Sequence, residues 1–383
     1  MKRLIFSASI FLACLATVSC KKETSSGGGS TTGDILIGHY GSLSGSEATF
    51  GLSTSRGIKL AIKELNASGG INGRKVVLKE YDDKGDSKEA GSVVTRLVTN
   101  DKVVAVLGEV SSGLSLAGAP ICQDGGVPMI SPSSTNERVT AAGDMIFRVC
   151  FIDDFQGYAG AKFAYDDRKA RKAAVLFDQA SPYSKGLGQF FAKHFIKLGG
   201  QITIEEAYNA GDPDFSARLQ AIAKTSPDII YIPGYYTDVA NIALQARKQN
   251  ITVPLLGGDG WDSAKLAEIA GQSIEGSYYT NHAAPQDARM QEFIKKYKAE
   301  YGEIPDALGG LGYDAGGLLF KAMKAAPALD GKALARAISA IHDYPGVTGD
   351  ITINARRNAL KPAVVLEMKG GVPTRVATIN PTN

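Results

Sequence analysis

Short runs of consecutive apolar residues alternate along the chain with stretches in which apolar residues recur at helical spacing. Residues 35–37 (ILI) form the first run. Between residues 58 and 65 the apolar positions fall at i, i+3, i+4 and i+7, which is the spacing of one face of an α-helix. The turn-rich segment NASGGING at residues 66–73 ends that stretch. The pattern predicts a buried strand followed by an amphipathic helix.

The same alternation continues to about residue 256. It predicts strands at residues 76–78, 103–107, 127–130, 173–177, 202–204, 229–232 and 253–256. It predicts helices at residues 87–100, 185–198, 215–224 and 239–248. Alternating strands and helices indicate βαβ units and a parallel sheet, and uninterrupted apolar strands fit a sheet buried on both faces. Because the pattern starts again near residue 173, we predict an α/β protein with two doubly wound parallel-sheet lobes.

The pattern changes after about residue 281. Amphipathic helices are predicted near residues 290–297, 318–325 and 333–341, and strands at 351–353 and 363–367. A tail this long is expected to pack back on a lobe. We therefore expect each lobe to be built from discontinuous segments.

The N-terminus has the features of a secretory signal. A basic start at residues 1–3 precedes an apolar stretch at residues 4–18, which is too short to span a bilayer. We predict a signal peptide at residues 1–19, with an uncleaved anchor as the alternative. Thr17-Val18-Ser19-Cys20 resembles a bacterial lipoprotein processing box, although Thr17 stands where Leu is usual. Residues 20–33 are then a lipidated Cys20 and a flexible Gly/Ser tether, which would attach the body to a membrane only through the lipid.

Composition narrows the class of protein. The chain has 383 residues, of which 44% are hydrophobic and 21% charged; this is ordinary for a globular protein and excludes collagen, wholesale disorder and a polytopic membrane protein. Lys and Arg number 42 against 39 Asp and Glu, so we expect no nucleic-acid partner. Cys122 and Cys150 in the predicted body are open to two states, a disulfide or two buried thiols.

Polar loops follow the first set of predicted strands, at the ends where ligands bind in open α/β sheets. These loops, at residues 40–45, 108–113 and 131–136, are rich in Ser, Thr and Gly. Hydroxyls and free backbone N–H groups at such places suit a carboxylate.

The loops after the second set of strands differ in content. They contain tyrosines and one carboxylate, Asp259, which suits an ammonium. Four aromatic residues are placed to wall an apolar side chain: Phe50, Tyr183, Tyr235 and Trp261. The two sets of loops together describe a site for a small zwitterion with an apolar tail, that is, an amino acid.

Several of these residues also have a purely structural interpretation. Ser134 with Glu137 matches a capping box, and Ser111 or Ser112 would serve as a helix N-cap. Tyr235 and Tyr236 at a strand end would simply pack, and Asp259 between glycines would be an exposed turn residue.

The sequence lacks the common motifs of enzymes and metal sites. The chain has no G-x-G-x-x-G, no P-loop and no nucleophile elbow after a strand, and its four His follow no metal spacing. A pairing of His39 with a nearby Ser leaves an envelope hydrolase as an alternative. The pair Asp82-Asp83 would either bind a cation or help to cap the next helix with Asp86 and Glu89. We expect no enzyme, no cofactor and no metal.

Long blocks of the chain resemble the periplasmic leucine/isoleucine/valine-binding proteins, the substrate-binding components of branched-chain amino acid ABC importers. The resemblance runs from about Asp34 to near the C-terminus. The blocks that carry it are GSLSGSEATFG (41–51), GGINGRKVVLKEYDD (69–83), LGEVSSG (107–113), PMISPSSTNERVT (128–140), FRVCFIDDFQG (147–157) and PGYYTD (233–238).

The resemblance implies the type I periplasmic binding protein fold, in which two α/β lobes joined by a three-strand hinge close around the ligand. The hinge crossings would lie near Asp153, His282 and Asn354. Lobe 1 would then comprise residues 34–153 plus 282–354, and lobe 2 residues 154–281 plus 355–383.

The resemblance also implies roles for individual residues. Ser112 would bind the α-carboxylate, the Ser133 carbonyl would accept from the α-ammonium, and Thr135 would bridge both groups. Asp259 would pair with the ammonium, and Tyr183 and Tyr235 would come from the closing lobe. Phe50 and Leu308 would line the side-chain pocket. The family often has Glu where this chain has the shorter Asp259, which implies a closer loop, a bridging water or a ligand other than leucine.

The function implied is capture of a small apolar amino acid in the periplasm or cell envelope and its delivery to the permease of an ABC importer. The resemblance implies a branched-chain amino acid. The alternative is a binding protein or sensor for another small ligand, such as an amide, urea or an aromatic acid.

Overall fold

A computed structural model of the chain describes Met1 and residues 33–381. Residues from Asp34 onward form one unit that is distinct from the preceding segment. Cys20, nearly all of the predicted signal peptide and nearly all of the predicted tether lie outside the described residues.

The first lobe is built on five parallel strands in the order β2-β1-β3-β4-β5. The strands are β1 (Ile35–Gly41), β2 (Val76–Asp82), β3 (Val106–Leu107), β4 (Met129–Ser131) and β5 (Ile146–Arg148). The helices between them are α1 (Ala48–Ala67), α2 (Ser87–Thr99), α3 (Ser112–Asp124) and α4 (Arg138–Ala141).

The second lobe begins with α5 (Asp153–Lys162) and repeats the alternation. Its first five strands are β6 (Lys172–Asp178), β7 (Gln201–Tyr208), β8 (Ile229–Ile232), β9 (Leu255–Gly257) and β10 (Tyr278–Asn281). Its other helices are α6 (Pro182–Lys197), α7 (Ser216–Lys224), α8 (Tyr236–Lys248) and α9 (Ala264–Ala270). All neighbouring pairs among these five strands are parallel.

The remaining chain is divided between the two lobes. Its helices are α10 (Ala288–Tyr301), α11 (Ala307–Ala325) and α12 (Gly331–Ser339), and its strands are β11 (Tyr344–Gly346), β12 (Gly349–Ile353), β13 (Ala359–Leu360), β14 (Ala363–Lys369) and β15 (Val372–Ile379). Strands β11 to β13 form a small sheet of their own. Strand β14 joins β10 in antiparallel fashion and carries β15 on its outer edge, which completes a seven-stranded sheet.

A glycine contact fastens α11 to the first lobe. A Cβ atom added to Gly57 of α1 would lie 2.0 Å from the carbonyl oxygen of Gly309 in α11. The two helices can approach this closely only because both positions lack a side chain. A helix from late in the sequence therefore covers the sheet formed by the start of the chain, as expected for discontinuous lobes.

The chain passes between the lobes three times, after β5, after β10 and between β13 and β14. The predicted α/β fold with two doubly wound lobes and a three-strand hinge is thus confirmed, with an antiparallel hairpin added to the second sheet. Asn354 lies in the turn between β12 and β13, so β13 still pairs with β12 before the chain enters the second sheet.

Both cysteines of the body are free thiols in the interior of the fold. Burial raises the pKa of each thiol to about 12. Of the two states left open by the sequence, the structure has the pair of buried thiols rather than the disulfide.

Candidate functional site

One cavity between the two lobes brings together all eight residues singled out as ligand-binding. Its walls are formed by Phe50, Val110, Ser112, Ser133, Thr135, Tyr183, Tyr235, Asp259, Gly260 and Leu308. The free volume of this cavity is about 10 Å³, which is room for about one water molecule. The side chains of the two lobes therefore almost meet across the cavity.

The first lobe contributes hydroxyls and the start of a helix. Ser112 is the first residue of α3, where backbone N–H groups have no partner within the helix. The Ser112 hydroxyl accepts a hydrogen bond from the Asn136 N–H at 3.2 Å, so it tethers the loop after β4 to this helix. The Thr135 hydroxyl lies in the cavity wall and is buried without a hydrogen-bond partner.

Neighbouring serines support these loops instead of capping helices. The Ser134 hydroxyl is hydrogen-bonded to the carbonyl oxygens of Glu109 and Val110 and to the Ser115 hydroxyl, within 2.9 Å of each. Ser111 precedes α3, but its side chain makes no capping bond. Ser111 therefore occupies the N-cap position of α3 without a side-chain capping bond, and the capping interpretations of Ser112 and Ser134 are wrong.

Asp259 lies at the centre of the second lobe's contribution. It begins a 3-10 turn, Asp259–Trp261, directly after β9, and only 4% of it is exposed, so it is not the exposed turn residue of the structural interpretation. Its Oδ1 accepts hydrogen bonds from Gln156 at 2.9 Å and from the Tyr183 hydroxyl at 2.8 Å.

The second oxygen of Asp259 faces the hinge and the first lobe. Oδ2 lies 3.0 Å from His282 Nε2 and 3.4 Å from the Ser133 hydroxyl. Burial alone would raise the pKa of Asp259, but its bonds to His282, Gln156 and Tyr183 outweigh burial and lower that pKa below its usual value. The cavity therefore contains a buried carboxylate that is ionised at neutral pH.

His282 holds Asp259 in place. Its Nε2 donates to the carboxylate, while burial lowers the pKa of His282 against the opposing effect of Asp259. The other face of the ring stacks on Phe151, with ring centroids 3.9 Å apart. Sequence reasoning placed a hinge near His282 but missed this partnership, and it missed Gln156 entirely.

Aromatic rings close the cavity on the side of the second lobe. Tyr183 and Tyr235 stack with centroids 5.2 Å apart and 6° between the planes, and Phe50 of the first lobe meets Tyr235 edge-on at 5.8 Å. Trp261 is not part of this wall: its Nε1 donates to the Ile232 carbonyl at 2.9 Å, behind the cavity. The expectation that Trp261 would wall the ligand is wrong, because its indole is used to anchor the turn that carries Asp259.

The residues of the alternative functions have other roles. The His39 Nδ1 is bonded to the Leu107 carbonyl at 2.8 Å, and its buried Nε2 has no hydrogen-bond partner among the described residues, so no Ser–His pair forms there. Asp86 caps α2 through the N–H groups of Lys88 and Glu89, as the capping interpretation required.

The pair Asp82-Asp83 serves the loop after β1. Asp82 accepts from the N–H groups of Leu43 and Ser44, and Asp83 accepts from the Ser42 hydroxyl at 2.9 Å. Within residues 33–381, no group of three or more His, Cys, Asp or Glu side chains is arranged to hold a metal ion. No helix in the same range is long and apolar enough to cross a membrane.

Comparison with known proteins gives matches over nearly the whole chain. A family model described as a periplasmic binding protein matches residues 34–371. A Leu/Ile/Val-binding protein homologue of Brucella abortus is 33% identical over 347 residues, which cover 90% of this chain and 93% of that protein.

Solved structures are similar in both sequence and shape. A leucine-binding protein of Thermotoga maritima is 38% identical with a TM-score of 0.87, and the match covers 91% of this chain and 99% of the other. The branched-chain amino acid transporter substrate-binding protein of Streptococcus pneumoniae, in complex with isoleucine, is 33% identical with a TM-score of 0.84 and covers 90% of this chain and 99% of the other.

Proposed function

The chain belongs to the periplasmic binding protein family, and we propose that it captures a small apolar amino acid for an ABC importer. Membership confirms the resemblance drawn from the sequence blocks and the type I fold that it implied. The observation that carries the proposal is the buried, ionised Asp259 placed opposite the hydroxyls and helix start of the first lobe.

The first lobe suits the α-carboxylate of the ligand. The N-terminus of the 13-residue helix α3 presents backbone N–H groups and the positive end of the helix dipole. The hydroxyls of Ser112 and Thr135 lie beside it, and within residues 33–381 the Thr135 hydroxyl makes no hydrogen bond. A carboxylate bound here would supply the acceptor that Thr135 lacks.

Asp259 suits the α-ammonium. A carboxylate has about four lone-pair positions, and Oδ1 already receives two short bonds. Oδ2 receives one short bond, from His282, and a long one from Ser133 at 3.4 Å. The ammonium would take the place of this long bond, and the shorter Asp side chain would reach it because lobe closure brings Ser133 and Asp259 together.

The aromatic wall suits an apolar side chain of moderate size. Phe50, Tyr235 and Leu308 offer ring faces and methyl groups without a free charge. The Tyr183 hydroxyl is turned away from this region, since it donates to Asp259 and accepts from the Gly260 N–H at 3.1 Å. Once the two lobes move apart enough to admit it, a branched aliphatic chain such as that of leucine would bury its surface here. This is the class of ligand named for the relatives in Thermotoga and Streptococcus.

A melting-temperature panel tests the substrate class. Bound ligand is removed by unfolding and refolding, and the protein is heated with leucine, isoleucine, valine, acetamide, urea or benzoate. A ligand at about 100 times its dissociation constant stabilises by about 2.7 kcal/mol, a rise of a few degrees for a protein of this size. We expect the rise with branched-chain amino acids; a rise with only the amide, urea or benzoate would overturn the ligand assignment.

Delivery to a permease and attachment through Cys20 complete the proposal. The closed lobes would present a joint surface to the membrane subunits of the importer, and a lipid on Cys20 would hold the body near them. Lipidation is tested by metabolic labelling with a palmitate analogue in the wild type and in Cys20→Ser. Label in the wild type alone supports the anchor, whereas equal label in both proteins contradicts it.

A further inference from the structure

A second, larger cavity lies beside the hinge and is separate from the one that contains Asp259. The free volume of this cavity is about 530 Å³, which lies within the range of about 300–1,000 Å³ typical of small-molecule sites. Its walls come from four parts of the chain: the first hinge crossing with the start of α5, the end of α6, residues 354–361 before the third crossing, and Pro381 after β15. None of the residues that line the first cavity lines this one.

The lining combines apolar surface with positive charge. Phe151, Phe155, Tyr158 and Leu360 provide aromatic and aliphatic area. Lys197 and Lys361 both line the cavity; Lys197 is exposed to solvent, and Lys361 is buried.

The acidic group in the lining is already engaged. Asp154 lies 2.9 Å from His194 Nε2 and 3.4 Å from the Lys193 ammonium. It therefore does not neutralise the two lysines of the cavity.

Lys361 is a buried and hydrogen-bonded part of the cavity wall. It is 2% exposed, and its ammonium donates to the Thr348 hydroxyl at 2.5 Å. Burial lowers the pKa of Lys361 to about 8, against the opposing effect of Asp314, so the amine is mostly charged at pH 7. The Thr348 hydroxyl donates in turn to Asp314 Oδ2 at 2.6 Å, so this carboxylate is linked to Lys361 through the hydroxyl. On its other side the cation lies beside apolar walls, which suit an anion with an apolar body.

A chain of residue contacts connects the two cavities. Phe151 lines the second cavity and stacks on His282, which in turn holds Asp259 in the first. Two hinge segments form the walls of the second cavity, so a rotation of the lobes changes its width. In the arrangement described here the lobes meet across the first cavity, and the second is open.

We propose that this hinge cavity is a second ligand site, which takes a carboxylate with an apolar tail and whose occupation favours the closed arrangement of the lobes. The apolar tail lies against Phe155, Tyr158 and Leu360, and the carboxylate faces Lys197 and Lys361. Because the ligand fits the cavity of the closed form, it raises the affinity of the protein for its amino acid. This last step rests on the proposed function; the binding of the carboxylate does not.

Calorimetric titration with octanoate tests the site, with octan-1-ol as the uncharged control ligand. We expect one octanoate per chain in both ligand-free and leucine-saturated protein, and at least tenfold weaker binding of octan-1-ol. Leu360→Glu places a negative charge at a half-exposed position of the cavity wall and should weaken octanoate at least tenfold. Val372→Glu makes the same change at an exposed position of β15 outside the cavity and should leave octanoate binding unaltered.

The outcomes separate the site from the amino-acid site. No binding of octanoate up to millimolar concentration, or equal weakening by both Glu variants, would overturn the second site. Displacement of octanoate by leucine would also overturn it, because the two would then share the first cavity. If octanoate binds as expected, leucine should bind several-fold more tightly in its presence; unchanged leucine affinity would overturn the coupling to closure.

Discussion

At the scale of single residues, the site depends on carboxyl groups whose charges are set by their neighbours. Asp259 stays ionised in the interior because His282, Gln156 and Tyr183 donate hydrogen bonds to it. Glu47, beside the first lobe's loops, has the opposite balance: burial raises its pKa to about 7, against the lowering effect of its hydrogen bond from Ser111. The lobes thus place one ionised and one readily protonated carboxyl near the same cleft.

Glu47 makes stability depend on pH in a way that one substitution isolates. Its pKa is about 7 in the folded protein and about 4.3 in an unfolded chain, so the folded state binds more protons between these values and loses stability as the pH rises through them. Glu47→Gln removes this ionisation. We expect equal stability of the two proteins at pH 4 and a variant more stable by about 3–4 kcal/mol at pH 8, measured by urea unfolding. A constant difference across the range would contradict the assigned pKa.

At the scale of elements, the predictable part of the fold was the part in which apolar runs are long. Strand β8 (IIYI) is buried at all four positions and stands out in the sequence. Strands β5 (IFR) and β10 (YYTN) were missed because three or four residues of mixed polarity carry no period of their own. They become strands because neighbouring strands supply their partners.

The site residues also divide into those that local sequence identifies and those that depend on contacts distant in sequence. The eight cavity residues could be selected because most lie in loops that follow strands, and the family resemblance supplied Leu308. Gln156 and His282 could not be selected from the sequence. They are 103 and 23 residues away from Asp259 along the chain, and only the folded structure brings them into contact with it. Trp261 was misassigned because a strand-end position does not say which way a side chain turns.

The contact between α1 and α11 gives an element-scale prediction. Gly57→Ala would press a methyl group against the Gly309 carbonyl, 2.0 Å away, and should cost at least about 2 kcal/mol of unfolding free energy. Gly91→Ala is the matched control in α2, where the new Cβ would find only ordinary contact with Ile121 at 3.7 Å. The control should be neutral or stabilising by up to about 1 kcal/mol. Similar stabilities of the two variants in denaturant unfolding would contradict the close packing of these helices.

At the scale of the whole molecule, contacts between the lobes lie at the mouth of the first cavity as well as within it. The Thr49 and Ser263 hydroxyls are 3.0 Å apart, and the Thr237 hydroxyl donates to the Ser46 carbonyl at 3.1 Å. Each pair joins one residue of the first lobe to one of the second. Further bonds between the lobes run from the Asn136 amide to the Pro182 carbonyl at 3.0 Å and from the Ala307 N–H to Asp262 at 2.8 Å. Opening of the lobes breaks these bonds, and a ligand that bridges the cavity would add to them.

Closure can be trapped across this mouth. With Thr49→Cys and Ser263→Cys together, the closed form brings the two thiols within the reach of a disulfide, which needs Cβ atoms about 3.5–4.5 Å apart. Saturating leucine should speed cross-linking by a mild oxidant several-fold, read as a mobility shift on non-reducing gels. The single variants are the controls and should form no intramolecular link. Equal rates with and without leucine would contradict ligand-driven closure.

The most direct test of the account is whether Asp259 recognises the ammonium of the ligand. Leucine and 4-methylpentanoate, which is leucine without its amino group, are titrated into the wild type and into Asp259→Asn. The account predicts that the wild type prefers leucine strongly and that the variant loses about 2–5 kcal/mol of leucine binding, with little change for 4-methylpentanoate. If Asp259→Asn bound leucine as tightly as the wild type, or lost both ligands equally, the assignment of Asp259 as the partner of the ammonium would be wrong.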